Sequence, residues 1–394
     1  MSSPIALVGC AAWTPLERIA DALVLIEAGR IARLAPRGAL PLPPGAAAVD
    51  LWGAAVCPGF VDLQVNGLGP DAVLSGEAEG LLRIGRALAR RGTTAFLPTA
   101  ASAPPEVLLR AARAVRAAWE RQAEGAAPGA AILGLHLEGP FLARGMRGAH
   151  PAEHIRPLDL GEVERLAEAA GGFGPGGRPG LRMLTLSPEV EGAADAARWL
   201  AARGVVAAMG HTAASEEEVE AFLAAGGRFA VHAFNRYAAP EGAPSHRAPG
   251  PMAAVATDPR LRAGVVADGV HVHPRVLDAF VRSRGWERVV LTSDLVSEGG
   301  LSGGGAESGV LAGSRLSQGE MLPLLRAWCG LSAERALAAA TLNPARVLSL
   351  EGEVGRLAPG ARADLCALDP ASLSVRAVLA GGRWAAGPPG IAAP

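Results

Sequence analysis

The chain has 394 residues, of which 50% are hydrophobic and 19% are charged. This composition supports a large buried core and excludes a globally disordered protein. The 37 basic and 38 acidic residues leave a net charge of −1, which argues against nucleic acid or an anionic membrane as the main partner. No uninterrupted apolar run reaches the about 18 residues of a membrane-spanning helix, so we expect no membrane segment.

The types of basic and sulfur-containing residues narrow the possible chemistry. All the cationic side chains are arginine, and the absence of lysine excludes a Schiff-base lysine, a Walker phosphate loop and a carbamylated-lysine metal bridge. The four cysteines, at positions 10, 57, 329 and 366, are scattered and form no C-x-x-C pair. We therefore predict reduced, buried thiols in a cytoplasmic protein.

The two ends of the chain share one pattern. From Ile5 to Val56, and again over 355–386, short apolar runs are interrupted by glycine and proline. Such runs are typical of small strands and hairpins. Because chain termini often lie close together, we predict one small β-sandwich domain built from residues 1–57 and 350–394.

The middle of the chain, 58–349, alternates between two patterns. Apolar runs predict strands at 60–65, 93–97, 131–137, 181–186, 205–209, 228–231, 263–267 and 288–292. Helical patterns follow most of them, at 79–90, 105–121, 161–170, 193–202, 216–225 and 274–284, and Ser215 with Glu218 has the spacing of a capping box. This alternation predicts an α/β fold, a (β/α)8 TIM barrel. An open doubly wound sheet is the alternative, but its polar residues would cluster after one or two strands.

Polar residues follow most of the predicted strands, at the end where barrel enzymes carry their chemistry. They are Gln64, Asn66, His136, Glu138, His211, His232, Asn235, Asp268, His271 and Asp294. Imidazole and carboxylate groups on one rim suit a divalent metal ion with an open position for water. Each residue also has a structural explanation, such as a helix N-cap for Asp294 or a turn for Glu138. Their placement on one face favours the metal site.

The remaining histidines divide into three groups. His136 points to the same side of its strand as Glu138, and we expect it in the inner layer of the barrel or behind the ligands. We expect His150 to close over the substrate. His154, His246 and His273 are predicted to lie in loops or at the surface.

A series of short motifs extends over nearly the whole chain. They are PGFVDLQVNG at 58–67, GTT at 92–94, PT at 98–99, LHLEGP at 135–140, RGAHP at 147–151, LSPE at 186–189, GHT at 210–212, HAFN at 232–235, ADGVH at 267–271, LAGS at 311–314, NPAR at 343–346 and GARADL at 360–365. In content and order they resemble the N-acetylglucosamine-6-phosphate deacetylases, a family of the amidohydrolase superfamily. That superfamily combines a barrel with a β-sandwich from both chain ends.

The resemblance implies a metal-dependent hydrolase that removes acetate from N-acetylglucosamine 6-phosphate. One divalent ion, expected to be zinc, would be held by Glu138, His211 and His232. Gln64 and Asn66 occupy the places where many amidohydrolases carry an H-x-H pair for a second metal, and amides are poor ligands. Asp294 would act as the general base, and His271 would hydrogen-bond the developing oxyanion.

The resemblance also implies a substrate site and a homodimer. The sugar phosphate would contact residues at Ala149, His150, Asn235, Arg236, Leu311, Ala312 and Gly313. Arg247 would reach in from the neighbouring subunit to bind phosphate, which a guanidinium can hold bidentately. The Gly-rich loop 299–309 is a candidate lid.

The sequence departs from the family at Arg236, Tyr237, Ser293 and Leu295, which surround the sugar site. Alternatives are therefore another N-acetyl amino sugar or an N-acyl-amino acid as substrate. A catalytically silent scaffold is a further alternative, and it predicts the loss of a ligand or of Asp294, neither of which is lost.

Overall fold

The computed structural model describes residues 3–39, 41–125, 128–174, 179–239, 250–300 and 311–387. The strands, in chain order, are β1 (Ile5–Trp13), β2 (Arg18–Glu27), β3 (Arg30–Pro36), β4 (Ala47–Asp50), β5 (Ala55–Pro58), β6 (Phe60–Val65), β7 (Gly67–Leu68), β8 (Asp71–Ala72), β9 (Thr93–Ala101), β10 (Ala131–Ile132), β11 (Leu135–Glu138), β12 (Leu181–Leu186), β13 (Val206–Met209), β14 (Phe229–Ala230), β15 (Arg262–Val265), β16 (Val289–Leu291), β17 (Leu365–Leu368), β18 (Val375–Ala380) and β19 (Arg383–Ala386).

The α-helices, in chain order, are α1 (Ala78–Ala89), α2 (Pro105–Ala123), α3 (Leu160–Ala170), α4 (Ala193–Ala201), α5 (Glu216–Ala224), α6 (Pro251–Thr257), α7 (Pro274–Arg284), α8 (Gln318–Cys329), α9 (Ala333–Ala340) and α10 (Leu342–Val347). Short 3-10 helices lie at Val73–Ser75, Arg144–Met146, Ala152–His154 and Trp286–Arg288. Within the described residues, no helix combines the length and the hydropathy needed to cross a membrane.

Parallel strands form the barrel in the order β6, β9, β11, β12, β13, β14, β15 and β16. The seam between the first and the last strand is closed by other groups. The Asn66 N–H donates to the Leu295 carbonyl at 2.8 Å. The Gln318 side-chain amide donates to the carbonyls of Val61 and Leu291, at 2.9 and 2.7 Å. The predicted TIM barrel is confirmed.

Helices cover the outside of the barrel because each carries one apolar stripe. In α2 the buried residues Leu108, Ala111, Val115 and Ala118 recur at spacings of three and four, which is one face of a helix. Truncating such a leucine to alanine costs about 2–5 kcal/mol. At one end of the barrel interior, α10 packs its Val347 against the buried core, so that end is filled.

Both ends of the chain contribute to one mixed sheet, with the order β19, β18, β17, β5, β1, β2, β3, and β4 beside β1. Leu7, Val24 and Ile31 from the first part of the chain share a buried cluster with Leu365 and Leu379 from the last part. The expected small β domain from both termini is therefore confirmed. The four cysteines are buried with free thiols, as predicted.

One predicted strand is interrupted. The run 131–137 forms β10 and β11, which are separated at Gly134, where φ is +136°. A Cβ at this position would lie 2.4 Å from the Arg182 side chain and 2.7 Å from the Gly180 carbonyl oxygen, so only glycine fits. The break lets β11 pair with β12 and carry Glu138 to the rim of the barrel.

Candidate active site

A pocket opens at the carboxyl ends of the barrel strands. It is lined by Glu138, Gly148, Ala149, His150, His211, His232, Asn235, Arg236, Asp294, Leu311, Ala312 and Gly313. The fold therefore brings together residues that end or follow four strands, β11, β13, β14 and β16. Arg247, His246 and most of the 299–309 loop lie outside the described residues.

Glu138 ends β11 at the centre of this pocket and is 2% exposed. Its Oε1 atom lies 2.8 Å from His232 Nε2 and 3.3 Å from His211 Nε2. The Gln64 side-chain amide donates to the same oxygen at 3.0 Å. Burial favours the neutral acid, but the contacts with His211 and His232 hold the pKa of Glu138 well below its usual range. The carboxylate is therefore ionised.

The His211 ring has a defined tautomer. Its Nδ1 atom lies 2.9 Å from the Met146 carbonyl oxygen, which only accepts, so Nδ1 carries a proton. In the neutral ring, Nε2 then presents a lone pair to the carboxylate oxygen of Glu138. Two acceptors at 3.3 Å repel unless a cation lies at the site. The donor chemistry therefore fits a metal ion, or a proton on the ring.

His150 has the opposite tautomer. The backbone N–H of Ser102 donates to its Nδ1 atom at 3.1 Å, so the proton of the neutral ring is on Nε2, 3.9 Å from Glu138 Oε2. Burial, with the neighbouring His211, lowers the pKa of His150 to about 3, so the ring is neutral. His150 thus offers the pocket a hydrogen-bond donor.

Among the described residues, Glu138, His150 and His211 offer potential ligand atoms that all lie within 4.8 Å of one another. The tautomer argues against His150 as a ligand, because Nε2 would have to lose its proton and Nδ1 its hydrogen bond from the Ser102 amide. His232 faces Glu138 directly, and its ring meets that of His211 edge-on at 4.9 Å. The set Glu138, His211 and His232 is better suited to hold a cation.

Several site residues have a left-handed backbone that is costly for residues other than glycine, by about 1–3 kcal/mol each. The φ angles are +51° at His211, +26° at His232 and +50° at Asp294. The Ser187 hydroxyl donates to the His211 carbonyl at 2.7 Å, which holds the first of these turns. Glu189 accepts hydrogen bonds from the hydroxyl of Thr212 and the amide of the next residue.

Asp294 lies beside Glu138 and is 5% exposed. Its Oδ1 atom accepts hydrogen bonds from the side-chain amides of Gln64 and Asn66, each at 3.1 Å. Its Oδ2 atom lies 3.6 Å from His271 Nε2. Burial, followed by the negative charge of Glu138, raises the pKa of Asp294 well above its usual value. The group is therefore a stronger proton acceptor than an exposed aspartate.

His271 is held by Asp268, whose Oδ2 lies 2.7 Å from Nδ1. The other oxygen of Asp268 accepts the backbone amides of Val270 and His271, each at 2.9 Å. Burial alone would raise the pKa of Asp268, but the hydrogen bonds from His271 hold it well below its usual range. This carboxylate fixes the ring, and Nε2 faces Asp294 without a hydrogen-bond partner.

The model of the amidohydrolase family matches residues 55–385 of the chain. The chain belongs to the amidohydrolase family. This amidohydrolase is 33% identical over 361 residues to the human N-acetylglucosamine-6-phosphate deacetylase, covering 85% of this chain and 84% of the relative. It is 32% identical over 330 residues to the N-acetylgalactosamine-6-phosphate deacetylase of Escherichia coli O157:H7, covering 80% and 83%.

A solved structure is similar to this amidohydrolase over almost its whole length. It is a mutant N-acetyl-D-glucosamine-6-phosphate deacetylase of Mycobacterium smegmatis in complex with N-acetyl-D-glucosamine-6-phosphate. The two chains are 31% identical with a TM-score of 0.84, over 98% of this chain and 100% of the other.

Sequence reasoning named Asp268 without a role and did not single out the other residues that orient the site. Asp268, Ser102, Ser187 and Glu189 each fix a histidine or its backbone turn. Asp268 has a signal in the sequence, because aspartate directly before glycine is typical of a turn. The contact of Ser102 with His150 joins residues 48 positions apart, which no local pattern indicates.

His136 and His273 lie outside the pocket, and the prediction for His246 falls outside the described residues. His136 is fully buried in the barrel interior, where Nε2 contacts the Thr185 hydroxyl at 2.8 Å and Nδ1 contacts the Leu63 carbonyl at 3.0 Å. Burial lowers its pKa to about 4, so it is neutral. His273 caps the exposed start of α7 by accepting the Arg275 amide.

Proposed function

We propose that this amidohydrolase removes acetate from N-acetylglucosamine 6-phosphate, giving glucosamine 6-phosphate, with one zinc ion held by Glu138, His211 and His232. The main support for a metal site is a pair of hydrogen-bond acceptors, His211 Nε2 and Glu138 Oε1, which face each other at 3.3 Å. The substrate is supported by the names of the relatives that match most of the chain.

The zinc ion, when bound, polarises the substrate carbonyl and lowers the pKa of water to about 7. Gln64 and Asn66 support a single ion, because their side-chain amides are used as donors to Glu138 and Asp294. A neutral amide does not deprotonate to become a strong ligand, as a second metal would need.

Asp294 performs the proton transfers. Its Oδ2 atom, which is free of the bonds from Gln64 and Asn66, takes a proton from the attacking water as the water oxygen bonds to the acetyl carbon. When the carbon–nitrogen bond breaks, the same oxygen returns the proton to the amine nitrogen. The second proton of the water leaves acetic acid for the amine, so the products are acetate and the ammonium form of the amine. The raised pKa of Asp294 suits both of its proton transfers.

Two imidazoles hold the substrate. Asp268 holds the His271 ring through Nδ1. When this ring carries both protons, its Nε2 atom donates a hydrogen bond to the acetyl oxygen that becomes negative. Such a donor is typically worth about 2.7–4 kcal/mol at the transition state. His150 donates from Nε2, which lies 3.9 Å from Glu138 Oε2.

The phosphate is assigned to the outer part of the pocket. Arg236 is exposed at its mouth and packs against Gly148, where a Cβ would lie 3.0 Å from the Arg236 Nε atom. Ala149, Asn235 and the segment 311–313 line the space between Arg236 and the metal ligands. A guanidinium at this place suits a phosphate dianion.

The homodimer, with Arg247 from the second subunit on the phosphate, is likewise our proposal, together with a cytoplasmic location. Its support is the resemblance of the sequence around Arg247, which lies in 240–249, outside the described residues.

N-acetylgalactosamine 6-phosphate is the second candidate substrate, because a relative named for it matches 80% of the chain. Acetate release by zinc-loaded protein is measured with both phosphorylated sugars and with N-acetylglucosamine. Faster turnover of N-acetylglucosamine 6-phosphate is expected. Faster turnover of the galactosamine compound would change the substrate, and turnover indifferent to phosphate would overturn the sugar-phosphate assignment.

A further inference from the structure

Tyr237 is the single tyrosine of the chain and lies behind the two histidines assigned to the metal. Its hydroxyl oxygen is 2.8 Å from the Met209 carbonyl oxygen and 2.8 Å from the Val231 carbonyl oxygen. Met209 ends β13 two residues before His211, and Val231 directly precedes His232. One side chain therefore contacts the backbone at the start of both histidine turns.

This contact extends the bonding between the two strands. The Val231 amide donates to the Met209 carbonyl at 3.0 Å, and after these residues the backbone turns to positive φ at His211 and His232. A phenol has one proton, so it is shared between the two carbonyls as a three-centre bond. Burial raises the pKa of Tyr237 well above its ordinary value, so the hydroxyl remains a donor.

The segment that carries Tyr237 is itself fixed to the first turn. The Thr212 amide donates to the Arg236 carbonyl at 2.9 Å, and the Ala238 amide donates to the Thr212 carbonyl at 3.1 Å. The phenol ring is thus anchored to the His211 turn while its hydroxyl also reaches the His232 turn. Such an arrangement sets the separation of the two turns.

We propose that Tyr237 is a positioning residue that fixes the spacing of His211 and His232 and thereby the affinity of the metal site. The inference rests on the proposed function, because it takes these histidines as ligands. Ligand distances must hold to within about 0.2 Å, so a small shift of either strained turn weakens binding. Partners that orient ligands typically change metal affinity by about 10–100-fold.

The test compares Tyr237→Phe with Thr341→Val. Thr341 is also buried and donates its hydroxyl to a backbone carbonyl, that of Leu337 at 2.7 Å, but it lies between α9 and α10 and does not line the pocket. Zinc affinity is measured by competition with a chromophoric chelator, and stability by urea unfolding of the metal-free proteins. Similar losses of stability are expected in both variants, with zinc binding about 10–100-fold weaker only in Tyr237→Phe.

Each other outcome has one meaning. Equal zinc affinity in Tyr237→Phe and the wild-type chain overturns the inference and leaves the metal site intact. A wild-type chain that does not bind zinc overturns the proposed metal site itself.

If Tyr237→Phe does not fold, a second measurement uses the wild-type protein labelled with 13C at the tyrosine Cζ. The label gives one resonance, since there is one tyrosine. Zinc should shift that resonance, and an unchanged resonance also overturns the inference.

Discussion

Replacing Asp294 with asparagine separates proton transfer from the architecture of the site. The asparagine Oδ1 can still accept hydrogen bonds from the side-chain amides of Gln64 and Asn66, each of which lies 3.1 Å from Asp294 Oδ1 in the wild-type chain. The asparagine Nδ2 takes the place of Oδ2. The shape of the pocket is kept, and only the basic oxygen is lost. General acid–base catalysis contributes about 10²–10⁴-fold, so we expect kcat to fall by this factor. This corresponds to about 2.7–5.4 kcal/mol in the activation free energy.

Although kcat should fall, the stability of Asp294→Asn should not. Burial and the charge of Glu138 disfavour the ionised form of Asp294, as its raised pKa shows. A neutral amide of the same shape removes that cost, so the free energy of unfolding of Asp294→Asn at pH 8 should equal or exceed that of the wild type.

The assay measures kcat from acetate release, zinc content by metal analysis, and unfolding in urea. The reasoning is refuted if Asp294→Asn keeps its zinc and retains kcat within tenfold of the wild type. Loss of zinc from this variant would instead show that Asp294 is a ligand.

Two further predictions concern pH and phosphate. Burial raises the pKa of Asp62 to about 7, despite hydrogen bonds from the backbone amides of Ser293 and Gln64. Between pH 4 and 7, the folded chain therefore holds a proton on Asp62 that the unfolded chain has lost. Stability should therefore fall as pH rises, by about 4 kcal/mol for three pKa units, and urea unfolding of Asp62→Asn should show a flatter pH dependence; an equal slope would contradict this. Arg236→Ala should raise KM for the phosphorylated sugar about tenfold and leave KM for N-acetylglucosamine unchanged, since a charged hydrogen bond is worth about 1.5–3 kcal/mol; equal effects on both sugars would remove Arg236 from the phosphate site.

The barrel was predictable because its strands are buried on both faces and its helices on one. The apolar run of β12 and the stripe of α2 are local signals with different periods, and each is correct to within a few residues. The interruption of β10 and β11 was not predicted, since it depends on how closely Arg182 approaches Gly134. The helices α6, α8, α9 and α10 were not predicted either.

The candidate site was predictable as a set of residues at strand ends, but its tautomers were not. His150 and His211 are both histidines in short motifs of the same rim. Only the structure shows that Ser102 donates to one ring while the other donates to the Met146 carbonyl. These contacts come from distant parts of the chain, and they decide which ring can bind a metal and which can donate to a substrate. The division into 1–57, 58–349 and 350–394 remains a prediction.

In the proposed mechanism one carboxylate, that of Asp294, serves as both acid and base, and the amides at the end of β6 support this double role. Gln64 and Asn66 both donate to Oδ1 of Asp294, so that oxygen is held in place while Oδ2 faces His271. Histidines at these two positions would present ligand nitrogens and could bind a second ion beside Asp294. The positive charge of that ion would lower the pKa of Asp294. Burial, followed by the negative charge of Glu138, raises the pKa of Asp294, and the uncharged side chains of Gln64 and Asn66 bring no positive charge beside it. In the proposed mechanism, this arrangement leaves Oδ2 of Asp294 to take and return the proton.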